Sequence, residues 1–298
     1  LPLQNTISNF SGELTDDRLD ISSLNLNSGS SDLSIYGSLL GLRPVLTGRA
    51  RSMFYAVLNL RSKMLNANEI LAAINAGGSA SGEAVIIDTL ENAEEQLDYS
   101  LIVVPGNLNA NVTIDLDSVR YSSIGLSGFH SDIKMRERCL QIANTAAASP
   151  LGNLALDAFY STVTKSDINA GFNVRLDAVT ADHLIEVVPA IDSLVPMLKS
   201  FKGNLDCQLT ATTQLDTMMN IVMPSLDGVL KINGKNLRVE DAGDLRKITR
   251  LLLFKNKNIG NIGNLYVNGM IHDNKLEIFP FILSVDRYEI AMSGIQGF

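Results

Sequence analysis

The chain has 298 residues, of which 46% are hydrophobic, 6% aromatic and none Trp; 24 Lys plus Arg stand against 32 Asp plus Glu, for a net charge of −8. This much apolar material excludes a disordered chain, which lacks the residues to offset its conformational entropy, and the acidic balance argues against a nucleic-acid binder, which needs a basic footprint for phosphate. The length suits two domains or one large β-rich unit, and no stretch reaches the roughly 18 apolar residues of a membrane-spanning helix.

Residues 12–37 read as three strands. The first ends at Asp16-Asp17, residues that tolerate a tight hairpin turn, and the third ends at Gly37. No targeting segment precedes them, and a chain that opens at Leu1 already in strand pattern is expected to be a piece of a longer protein. NANEILAAINA (66–76) predicts a short helix that stops before Gly77-Gly78. NAGGSASGEA (75–84) predicts a loop, and the acidic run ENAEEQLD (91–98) a loop or a wet edge. Leu108, Ala110, Val112, Ile114 and Leu116 then alternate with Asn107, Asn109, Asn111, Thr113, Asp115 and Asp117. They predict a strand of about 30 Å, at roughly 3.3 Å per residue, with one apolar and one polar face.

The alternation recurs at Leu154, Leu156 and Ala158, and at Ile168, Ala170, Phe172, Val174 and Leu176. It recurs again at Leu276, Ile278, Pro280 and Ile282. One dry face and one wet face is the habit of antiparallel sheets. TADHLIEVVPAIDSLVPMLKSF (180–201) predicts a helix capped at Thr180, kinked or split by Pro189 and Pro196. Cys207 alternates with Leu205 and Leu209, the placing of a small buried hydrophobe. DAGDLRKITRLLLFKN (241–256) predicts a third helix with Leu245, Ile248, Leu251 and Leu252 at helical spacing.

Internal repeats tie these elements together. Shifted by 257, residues 12–37 lie over 269–294 without a gap. Gly12, Asp16, Leu19, Ile21, Leu26 and Gly37 match Gly269, Asp273, Leu276, Ile278, Leu283 and Gly294. The second copy is therefore also expected to turn at Asp273-Asn274. Shifted by 114, residues 59–74 lie over 173–188, each a strand leading into a capped helix. The chain is thus expected to be built from meanders that each feed a helix.

Catalytic motifs are few. Asp115 and Asp117 form the D-x-D pair of some metal-dependent transferases, but on an alternating strand they belong to a solvated face. Glu94-Glu95 has no partner motif. His130, His183 and His272 sit at no metal spacing and accompany no nucleophile. Nucleophile elbow, Walker A loop and dinucleotide fingerprint are all missing. Gly260 and Gly263 make a G-x-x-G that reads as a glycine-rich approach to a strand near Leu265. Cys139 and Cys207 give neither a disulfide framework nor a metal pattern. Asn9-Phe10-Ser11 and Asn111-Val112-Thr113 are glycosylation sequons of the kind chance supplies in an Asn-rich chain. These features predict no enzyme, no metal and no cofactor.

The repeated unit Gly12–Ile21 and Gly269–Ile278, with the stretches 225–254 and 264–297, resembles AsmA-like proteins of Gram-negative envelopes, most clearly over 170–298. The resemblance implies a β-rich α+β fold: a long curved antiparallel sheet, open as a trough or half-barrel, with about three short helices. Residues 1–128 would form a first meander-plus-helix half and 129–298 a second, AsmA-like C-terminal half, in one continuous sheet. Family members hang from the inner membrane by an N-terminal helix, face the periplasm and serve outer-membrane assembly. Larger, TamB-type relatives move phospholipid along an apolar groove. With about three helices for so many strands, a long open sheet must turn part of its apolar face to another sheet, a partner or an apolar ligand, whereas a closed barrel or sandwich needs none; on the open reading Leu108, Val112, Ile114, Ile168, Phe172, Val174, Leu276, Ile278 and Ile282 are candidates to line a groove for phospholipid or other acyl chains. An envelope scaffold binding other proteins through its sheet edges is the alternative.

Overall fold

The computed structural model describes residues 5–43, 52–69, 103–121, 124–149, 152–164, 167–180, 201–239, 264–285 and 288–297. Fifteen strands join one long open sheet. In chain order its strands are β1 (Asn5–Thr15), β2 (Arg18–Ser28), β3 (Ser31–Leu40), β4 (Phe54–Ser62), β5 (Leu65–Asn66), β6 (Leu108–Tyr121), β7 (Ile124–Arg136) and β8 (Cys139–Ser149). There follow β9 (Gly152–Thr164), β10 (Asp167–Thr180), β12 (Asn204–Leu215), β13 (Asp227–Gly234), β15 (Leu265–His272), β16 (Lys275–Val285) and β17 (Tyr288–Gly297). Their spatial order follows the chain from β1 to β17, with β5 set aside on β6. The short strands β11 (Phe201–Lys202) and β14 (Arg238–Val239) pair separately. The expected long, open, β-rich sheet is therefore present.

The chain divides into two compact units: residues 1–150, 156–170 and 215–220, and residues 151–155, 171–214 and 221–298. In the first, side-chain alternation carries aliphatic residues across strand after strand in register. One rung runs Phe10, Leu24, Ile35, Leu60, Ile114. The next runs Gly12, Ile21, Gly37, Leu58, Val112, Ile133, Ile142. Directly opposed residues share a face, so these rungs make one dry side. In the second unit the same logic gives Leu205, Gly234, Leu265 and Cys207, Ile232, Val267. Here the dry side is a closed core that also takes in Leu230, Leu237, Ile271 and Leu283.

The 257-residue repeat is a repeat of register. Gly12 faces Ile21, which faces Gly37; Gly269 faces Ile278, which faces Gly294. Both first hairpins turn in two residues, with positive φ at Asp16 and at Asp273 and Asn274, as the aspartate-rich turns predict. The third strand runs past the matched glycine, to Leu40 and to Gly297. Both copies also carry the same bulge. The register of β2 on β3 shifts between Ile21 and Leu24, and that of β16 on β17 between Ile278 and Phe281. Pro280 falls inside the second bulge, where its missing N–H costs no ladder bond.

Two features depart from the sequence reading. β4 and β6 pair in parallel, Phe54 opposite Leu108 through Ser62 opposite Leu116, and the two-residue β5 continues that parallel run with Leu65 opposite Val119, between antiparallel neighbours on either side. Parallel neighbours need a long crossover, and the 45 residues between Ser62 and Leu108 supply it. The second departure is Ile282. Alternation places it with Leu276 and Ile278, but the bulge adds one residue and turns the strand over. Leu276 and Ile278 are 0% and 8% exposed, whereas Ile282 is 56% exposed and Leu283 takes the inward place.

The helix expected over 66–76 is helical at Ala67–Glu69, and its remainder lies outside the described residues. Of the helix expected over 180–201, Thr180 ends β10 and Phe201 opens β11; the residues between lie outside the described residues, as does all of 241–256. Also outside are the 75–84 loop, the 91–98 acidic run with Glu94-Glu95, His183, and Gly260 with Gly263.

Candidate functional site

β6 is the strand that organises the first unit's dry face. It lies between β4 and β7, and Leu108, Val112 and Ile114 point to the same side. Val112 sits between Leu58 and Ile133, and Ile114 between Leu60 and Ser131. All three candidates are half-buried, while Ala110 and Leu116 on the same face are buried. On β1 the face becomes exposed, at Phe10 and Leu14. Its rungs are mostly aliphatic and offer van der Waals contact along several strands, and its buried hydroxyls Ser131 and Ser62 are hydrogen-bonded to Thr145 and Asp32.

The remaining candidates stand on other strands, β10 and β16. Ile168 is buried in the first unit; Phe172 is exposed and Val174 half-buried in the second. Leu276 and Ile278 belong to the second unit's closed core, and Ile282 faces away from it. Leu24, Ile35, Leu58, Leu60, Ile133 and Ile142 share this dry face, and sequence reasoning left them unnamed. Their signal was the same period of two, at Phe54, Ala56, Leu58 and Leu60 for example.

The opposite face of the first unit is polar, as the alternation of Asn, Thr and Asp predicts. Asp115 of the D-x-D pair accepts a hydrogen bond from His130 at 2.8 Å, and Asp117 is exposed. Asp132 accepts from Thr113 at 3.0 Å and from Asn144 at 2.9 Å, which holds its carboxyl below the usual range. The Asp115 hydrogen bond, with the Asp132 charge nearby, raises His130 above the ordinary imidazole value. The Arg61 guanidinium stands 5.2 Å over the Tyr36 ring. His272 on the second unit pairs with Asp227 in the same manner. Asp115, Asp132 and Asp227 are thus each engaged by a side chain on the neighbouring strand.

Cys207 is buried between β13 and its own strand neighbours, and burial pushes its thiol up to about 11. A thiol with so little thiolate at neutral pH is a packing group. Among the described residues no group of three or more His, Cys, Asp or Glu is placed to hold a metal ion. No helix among them is long and apolar enough to cross a membrane. No family model, curated protein or solved structure matches the chain.

Proposed function

We propose that this is a non-enzymatic cell-envelope protein, acting at the periplasmic side of the inner membrane, that holds lipid acyl chains against the aliphatic face of its first unit. The observation that carries the reading is the in-register apolar face across β1 to β8, which is half-buried at Leu108, Val112 and Ile114 and exposed at Phe10 and Leu14. Burying a methylene is worth about 0.8 kcal/mol, so even ten methylenes of an acyl chain are worth several kcal/mol before ordering costs. The resemblance of Gly12–Ile21 and Gly269–Ile278 to AsmA-like proteins supports the same placing in outer-membrane assembly.

The test is to purify the chain without detergent, extract it and identify retained lipid by mass spectrometry, then to titrate it with a fluorescent fatty acid. Retained phospholipid or fatty acid, with saturable uptake that Val112→Asp abolishes while circular dichroism stays unchanged, is the expected result. An empty extract together with no uptake by the wild-type chain sinks the proposal.

A further inference from the structure

We infer that the polar face of each unit carries a binding site for a sparsely charged acidic polysaccharide, centred on Lys134 in the first unit and on Lys231 in the second. One rung of the first unit sets Asn111 of β6, Lys134 of β7 and Gln141 of β8 side by side. One rung of the second sets Asn268 of β15, Lys231 of β13 and Gln208 of β12 side by side. The order amide, ammonium, amide is the same in both. The rung next to each pairs a tyrosine with an asparagine, Tyr55 opposite Asn109 and Tyr266 opposite Asn233. The two sets are not copies in the 257-residue repeat, so the chemistry recurs without a shared sequence.

These side chains hold unspent hydrogen-bonding capacity. A charge on a strand is usefully set opposite an opposite charge, yet each ammonium here stands between two amides. Among the described residues neither lysine forms an ion pair, and both are exposed. Asp132, two residues before Lys134, is already held by Thr113 and Asn144, and Asp206, opposite Asn233, accepts from the Ala178 N–H. An ammonium offers three donors and no acceptor, so each rung lacks an anion. Asn111, Gln141 and Asn268 make no side-chain hydrogen bond among the described residues, and Gln208 donates to Asn173 at 2.9 Å while keeping its own carbonyl oxygen. Amides give and accept hydrogen bonds, as a sugar hydroxyl does. Tyr55 and Tyr266, 42% and 52% exposed, add rigid flat apolar surface with a hydroxyl at the rim. A uronic-acid-bearing sugar chain answers all three features: a C–H face for the tyrosine, hydroxyls for the amides and a carboxylate for the ammonium.

Charge and size narrow the ligand. Each rung spans two strand spacings, about 10 Å, the length of a disaccharide, and holds one cation. A glycan with one carboxylate per disaccharide matches that density. The continuous phosphate of nucleic acid does not, in a chain of net charge −8. A chemistry presented twice also suits a ligand that repeats. The first site lies on the face of β6 opposite Leu108, Val112 and Ile114. A lipid held on the dry face cannot place its headgroup there, so the ligand is a free polysaccharide and the site stands apart from the acyl-chain face.

The test is a backbone-amide NMR titration of the full isotope-labelled chain with a hyaluronan tetrasaccharide, which carries one carboxylate per disaccharide. Saturable shifts are expected on both rungs, at Asn111, Lys134 and Gln141 and at Asn268, Lys231 and Gln208. Lys134→Gln should weaken the response of the first rung at least about tenfold and leave the second unchanged, and Lys231→Gln should do the reverse. Lys134→Arg, which keeps the charge, should bind as wild type. Should one glutamine variant lose the native spectrum, the other tests the same chemistry in the other unit. Chitotetraose, of equal length and uncharged, should bind at least about tenfold more weakly. No shift on either rung with hyaluronan, an equal response to chitotetraose, or a response unchanged by the glutamine variants would overturn the inference. So would equal binding of a glutamate–glycine tetrapeptide, which makes the ligand an acidic peptide, or displacement by phosphatidylglycerol vesicles, which makes it a lipid headgroup. Lipid retained on the dry face is measured separately and should be the same in wild type and Lys134→Gln.

Discussion

Gly37 and Gly294 are one position in two copies of a repeat, and the same substitution should move stability in opposite directions. In Gly37→Ala the new Cβ would lie 2.0 Å from the Val57 carbonyl oxygen, where ordinary contact begins near 3.4 Å. The neighbouring strand must give way by more than an ångström at a backbone atom, which no rotamer change relieves. Losing about two ladder hydrogen bonds costs roughly 2 kcal/mol. Holding a non-glycine residue in so sparsely populated a backbone region costs about 1–3 kcal/mol more. The sum is about 3–5 kcal/mol, concentrated where β3 meets β4. Gly294→Ala meets nothing and restricts the unfolded chain, so a gain of about 0.4–1 kcal/mol is expected. Urea titration of both variants gives the signs. Amide hydrogen exchange assigns the loss, with protection falling in β3 and β4 and holding in β15 and β16. A Gly37→Ala chain as stable as Gly294→Ala would refute the close approach of β4 to Gly37.

Other outcomes follow from the polar face and the thiols. His130 is raised by its bond to Asp115, so the pair stabilises the fold fully below the unfolded histidine value near 6.5 and the benefit is lost as pH rises through the raised folded value. NMR titration should show Asp115→Asn returning His130 toward the ordinary value; an unmoved midpoint would mean that Asp132 carries the effect. Cys207, buried and pushed up to about 11, should resist alkylation at pH 8 in the native chain while half-buried Cys139 reacts first. The two should react alike once the chain is unfolded, as peptide mass spectrometry can follow.

Much of this fold was legible because strand alternation writes the two faces directly into the sequence. Leu108 through Leu116 gave β6 its dry side, and the aspartates at 16 and 273 gave the hairpin turns. The repeat was legible as residues and turned out to be a repeat of register. What periodicity could not show was where it breaks. A bulge adds one residue with no compositional signature beyond Pro280, and it carried Ile282 to the wrong face while Leu283 moved in. Partnership between β4 and β6 was equally hidden, because local pattern is silent on which distant strand lies alongside. The candidate lining was half legible for a related reason. Alternation names a dry face on every strand, but it does not distinguish Leu276, sealed in a closed core, from Val112, left partly open.

The agreement between strand order and chain order has a bearing on how such a protein can change its size. Each strand is held by the strands nearest to it in sequence, apart from the single crossover at β4 and β6. A hairpin inserted at a turn, or a three-strand unit copied whole as Gly12–Gly37 and Gly269–Gly294 suggest, would widen the sheet by about 4.8 Å per strand and leave distant pairings intact. Reach is thus an adjustable quantity in this architecture, open to duplication without redesign of any core.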